Sequence, residues 1–163
     1  MRNLSKFVAL SLVLSVSILM SALPAKADVV DNELVPFSAT VPIDCDQDGT
    51  PEDVVELSGQ LHVLLIQNTN NKVTTTKAQF VPRNVTGTSL ISAANYRGVG
   101  LTTQISTVVG GGPTVFTFVN NFYIIGQGDA FKYLAHDAFH ATVDADGNVV
   151  VAHDNSFVSC PGS

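Results

Sequence analysis

"FKYLAHDAFHATVDADGNVVVAHDNSFV", residues 131–158, is the stretch on which the fold turns. Two runs rich in β-branched and aromatic residues flank an Asp-Ala-Asp-Gly break, and neither run has the three-to-four spacing of an amphipathic helix. The segment VDADGNV (143–149) suits a type I turn with Gly147 left-handed as a bulge, which pairs Asp144 with Asn148. In that register Phe139, Ala141, Val143, Val149 and Val151 share one face, while His140, Thr142 and Asp144 take the other. A two-residue turn at Asp146-Gly147 would mix polar and apolar side chains on both faces, so the bulged register is expected. It sets His140 and His153 on different faces. His136 and His140 share a face, but four residues along a strand separate them by about 13 Å. Neither pair is expected to share an ion.

The same pattern recurs upstream. Strands are expected at 54–67, 72–82, 97–108 and 114–126, ahead of 131–144 and 148–158. The breaks between them are NTNN (68–71), GGGP (110–113), GQGD (126–129) and DADG (144–147). SLISAANY (89–96) is the one stretch with the composition of a short helical turn. Strands in series without intervening helices imply an all-β, single-domain antiparallel β-barrel or β-sandwich over 54–163. An N-terminal segment with an acidic loop, 28–53, precedes it.

The chain starts MRNLSKFVALSLVLSVSILMSALPAKA. Arg2 and Lys6 precede an uncharged, mostly apolar run from Phe7 to Leu23. Pro24 ends that run, and Ala25-Lys26-Ala27 places small residues where signal peptidases cut. Residues 1–27 are therefore expected to be a signal peptide cleaved after Ala27, giving a secreted or periplasmic protein without a membrane anchor. Cleavage removes three of the eight basic residues and none of the fourteen acidic ones, so the formal charge falls from −6 to −9. Nucleic acid and anionic lipid surfaces would repel such a chain.

Cys45 and Cys160 are the two cysteines, and an even count in an exported protein reads as one disulfide. Closing so long a loop stabilises by about 4–5 kcal/mol on chain-entropy arithmetic. Without a Cys-x-x-Cys motif, thiol-redox chemistry is not expected.

Cys45 lies inside DCDQDGTPED (44–53). Asp44, Asp46 and Asp48 stand at alternate positions, Gly49 follows where a sharp turn is needed, and Thr50 comes next. Alternate oxygen donors around a tight glycine turn suit a hard cation with six to eight ligands. The Asp-x-Asp-x-Asp-Gly core resembles the calcium loops of EF-hands, dockerins and FG-GAP repeats. The resemblance covers about ten residues and implies no fold. It breaks down at the twelfth position, where an EF-hand has a bidentate glutamate and this chain has Val55. The candidate ligands of a structural Ca²⁺ are Asp44, Asp46, Asp48, Thr50, Glu52 and Asp53. The alternative is a solvated acidic turn held by Cys45.

No preassembled reactive centre is legible. His62, His136, His140 and His153 all fall in expected strands. His136-Asp137 and His153-Asp154 are sequence neighbours, so their side chains point to opposite faces. GGGP lacks the Lys-Ser/Thr of a phosphate loop, and there is no Gly-x-Ser-x-Gly elbow. Asn120 is the other candidate. It shares a strand face with Phe116, Phe118, Phe122 and Ile124, and an amide among phenylalanines must bond either neighbours or a guest. The expected function is thus an exported binding or structural module, acting on a small apolar ligand or an extracellular protein surface. Two alternatives stay open. One is a β-barrel carrier of a small apolar ligand, with an enclosed cavity of roughly 300 Å³ or more near Asn120. The other is a secreted hydrolase or cyclase using a histidine and a carboxylate joined by the fold.

Overall fold

The computed structural model describes residues 27–160, so the expected leader lies, but for Ala27, outside the described residues. Seven antiparallel strands run in chain order: β1 (Ala27–Ile43), β2 (Asp53–Asn70), β3 (Val73–Ser89), β4 (Asn95–Val109), β5 (Thr114–Gly126), β6 (Lys132–Val143) and β7 (Val149–Ser159). Each pairs with its sequence neighbours in one sheet, ordered β1 to β7. Among the described residues no helix is long and apolar enough to cross a membrane.

The all-β antiparallel class is therefore correct, and both finer expectations are corrected. Among the described residues there is no second sheet to make a sandwich, and the first and last strands do not hydrogen-bond to close a barrel. The sheet coils instead, as right-handed strand twist requires of long strands. Coiling brings β1 over β5, where the rings of Phe37 and Phe122 lie 6.2 Å apart. Just past the ends of β1 and β7, Cys45 and Cys160 form the expected disulfide, with Cα atoms 5.5 Å apart. Gln47 adds a bond from its side-chain amide to the Val158 carbonyl, 3.3 Å. One end of the sheet is thus drawn into a roll by a covalent bond and side chains. Such a disulfide is consistent with an oxidising, extracellular location.

The buried core sits inside that rolled end. Ile43, Val55, Leu57, Val85, Tyr96, Ile124 and Tyr133 come from six strands and form one cluster, with Phe122 and Val158 packed on it. At the opposite end Val29, Val30, Val149 and Val150 are each more than half exposed.

The strand expected first is in fact the second. β1 occupies most of the 28–53 segment and carries Pro36 and Pro42. Proline lacks a ladder donor and is tolerated on an edge strand, which is where β1 lies. SLISAANY is a turn and not a helix: β3 runs to Ser89, β4 starts at Asn95, and the Ser89 amide bonds the Ala94 carbonyl at 2.9 Å.

The 143–149 turn forms as expected. The Asp144 amide bonds the Asn148 carbonyl at 2.9 Å, and Gly147 is left-handed with φ of 89°. Hydrogen bonds from the Asn148 amide and side chain hold the Asp144 carboxyl below the usual carboxylate range. The register beyond the turn is a correction. Val143 pairs with Val149, but Thr142 pairs with Val151, so Val150 is an extra, bulged residue. One unpaired residue swaps the faces of everything after it. His140 consequently pairs with His153, on the same face of adjacent strands.

Candidate functional site

The loop joining β1 to β2 gathers part of the acidic set. Oxygens of Asp44, Asp46 and Asp48 lie within 4.8 Å of one another. Ligands at the 2.3–2.6 Å of calcium coordination are at most about 5 Å apart, so one ion could span all three. The loop folds on its own amides. Asp44 Oδ2 accepts from Gly49 N–H (2.9 Å), Asp46 Oδ1 from Asp48 N–H (3.2 Å) and Asp48 Oδ1 from Thr50 N–H (2.7 Å). Gln47 and Gly49 supply the left-handed turns. Asp44 Oδ1 is buried with no hydrogen-bond partner. Glu52 accepts the Cys45 amide at 2.7 Å, and Val55, at the twelfth position, is fully buried in the core.

Asp53 turns inward. It is 1% exposed and accepts hydrogen bonds from Ser89, Ser92, the Val54 amide and the Tyr96 hydroxyl, the last at 2.7 Å. Burial by itself would raise its carboxyl, but those four donors outweigh it and hold Asp53 below the usual carboxylate range. Burial, then the bond to Asp53 and its charge, push the Tyr96 phenol up to about 12. This network ties the start of β2 to the β3–β4 turn.

Asn120 lies at the middle of a second network, on the concave face. Thr102, Asn120 and Asp137 stand abreast on β4, β5 and β6. The Thr102 hydroxyl donates to Asn120 Oδ1 (2.7 Å), and Asn120 Nδ2 donates to Asp137 Oδ2 (2.9 Å). An amide has two donors and two acceptor sites, so one of each is left over. Beside this row is an apolar pocket of about 250 Å³, lined by Phe37, Leu61, Phe80, Phe122, Ile124 and Tyr133, with Asn120 and Thr102 at its polar edge. Gly98 makes the pocket wall fit: a Cβ there would stand 2.8 Å from the Phe122 ring and 2.7 Å from Val85. The pocket is open rather than enclosed, and slightly smaller than the roughly 300–1,000 Å³ usual for ligand clefts. Sequence reading found Asn120 but not Thr102 or Asp137. Their signal is cross-strand register, which a single strand does not contain.

Three of the histidines bond neutral groups. His62 contacts Asn32 Oδ1 (2.6 Å), His136 contacts Asn121 Oδ1 (2.7 Å) and His140 contacts Thr117 Oγ1 (3.0 Å). His136 also stacks on Phe157, ring centroids 4.8 Å apart. A histidine–carboxylate pair of the kind a hydrolase or cyclase needs is not among these contacts. No protein-family model matches the chain, and no curated protein or solved structure matches it.

Proposed function

We propose that the protein is an exported binding module that takes a small apolar molecule on the concave face of its rolled sheet, with Asn120 as the polar anchor. The observation that carries this is the apolar pocket beside the Thr102–Asn120–Asp137 row. An apolar cavity of ~150 Å³ already admits benzene, so about 250 Å³ suits a ligand of one or two rings. The spare donor and acceptor of Asn120 suit a ligand bearing one carbonyl or hydroxyl. The pocket is open, so entry needs no strand separation.

The test is titration of the purified mature chain with 6-propionyl-2-(dimethylamino)naphthalene, a neutral two-ring naphthylamine fluorophore that carries one carbonyl. Saturable one-to-one binding is expected, and Ala135→Phe, which fills the pocket, should abolish it without unfolding the sheet. Absence of saturation, or equal binding by the filled variant, rejects the reading.

A second reading concerns the loop. A structural Ca²⁺ held by Asp44, Asp46 and Asp48 is favoured by the buried, unpartnered Asp44 Oδ1. The ion would complete that oxygen's coordination and order the loop beside the disulfide.

A further inference from the structure

The bulge at Val150 assembles a feature that strand alternation alone forbids. Thr117, His140 and His153 form one row across β5, β6 and β7. The row lies on the face opposite the core, since the side chains of Phe139 and Ala141 alternate with His140. Directly opposed residues of an antiparallel pair hold their Cβ atoms about 5 Å apart. Two imidazole nitrogens ligating one ion at 2.0–2.1 Å in a tetrahedral shell stand about 3.3 Å apart, within reach of side chains on such Cβ atoms.

We infer that His140 and His153 form a two-imidazole binding site for a divalent transition-metal ion, of the zinc, nickel or copper class, on the convex face of the last hairpin. The ring of His140 is already oriented, because its Nδ1 contacts Thr117 Oγ1 at 3.0 Å and leaves Nε2 as the ligand atom. A partner on the second ring nitrogen is the usual companion of a metal-bound histidine. His153 is exposed, and both histidines border an open cleft of about 410 Å³ that leaves room for water to complete the shell. Imidazole selects these ions over calcium and magnesium, whose hard character prefers oxygen. The acidic net charge of the chain favours cation approach. The site is separate from the acidic loop and from the concave pocket.

The experiment is calorimetric titration of the mature chain with ZnCl₂ and with NiCl₂, in buffer saturated with Ca²⁺ to occupy oxygen sites. One ion per chain is expected, with affinity in the micromolar range. His140→Ala and His153→Ala should each weaken it at least tenfold, whereas His136→Ala and Asp46→Asn should leave it unchanged. Deleting Val150 removes the bulge but leaves Thr142 opposite Val151 and His140 opposite His153, so it should leave binding unchanged. Retention of binding in the His140→Ala/His153→Ala double variant overturns the site, as does its loss in Asp46→Asn. Absence of measurable heat with both salts also overturns it.

Discussion

Asp53 is the residue whose chemistry the fold constrains most. A carboxylate with 1% exposure is tolerated because four donors surround it. Asp53→Ala would leave the Tyr96 and Ser89 hydroxyls buried without their acceptor, so a loss of about 3 kcal/mol or more is expected in urea unfolding. The pH dependence has two limbs. The Asp53 carboxyl is depressed in the folded state, so its contribution is complete above its ordinary value near 4 and is lost as pH falls through the lower folded value. Tyr96 is raised to about 12, so its contribution is complete below its ordinary value of 10.0 and is lost between there and about 12. Urea midpoints should fall between pH 10 and 11.5, by an amount on the order of 2 kcal/mol, and Tyr96→Phe should flatten that limb. The acidic loop gives a separate test. Added Ca²⁺ at a hundredfold excess over its dissociation constant should raise stability by about 2.7 kcal/mol and EDTA should reverse it. A melting temperature indifferent to millimolar Ca²⁺, with Asp46→Ala silent, rejects the ion. The Asp-x-Asp-x-Asp-Gly pattern was legible because alternation and a glycine are local. That Asp53 belongs to the core and not to the loop was not legible, because its partners lie 36 to 43 residues away.

Strands and turns repeat this contrast. Turns are written in two to four residues, and the Asp144–Asn148 turn follows from its glycine. The Val150 bulge has no such signature. Val149, Val150 and Val151 are three identical residues, so nothing in their composition tells which one the ladder skips. β1 escaped notice for a related reason: its prolines argue against a strand, and the exception they allow, an edge, is a property of the assembled sheet. Close packing between strands sets a further test. Gly98→Ala would place a methyl group 2.8 Å from the Phe122 ring, and neither that ring nor Val85 can retreat without disturbing the core. A loss of about 1–3 kcal/mol is expected in thermal or urea unfolding. Binding of the naphthylamine probe should weaken in step, because the same ring lines the pocket.

For the molecule as a whole, fold class was legible and closure was not. Alternation and turn spacing report that strands exist and run antiparallel; whether the first meets the last depends on accumulated coiling, which no local residue encodes. The disulfide stands in for the missing pairing at one end. A Cys45→Ser/Cys160→Ser variant should lose about 4–5 kcal/mol, read from urea midpoints under matched conditions. If the roll depends on that link, the variant should also bind the naphthylamine probe more weakly, since Phe37 reaches the pocket only when β1 curls over β5.

The position of that link has a mechanical consequence. Cys45 follows the first strand and Cys160 the last, 115 positions apart in sequence. Tension applied between residue 27 and residue 160 would travel along β1 to one sulfur and leave through the other. Strands β2 to β7 would lie off that covalent path. A pulled molecule would lengthen only by peeling β1, roughly 3.5 Å for each residue freed, while the remaining six strands stayed folded until the sulfur bridge was reduced.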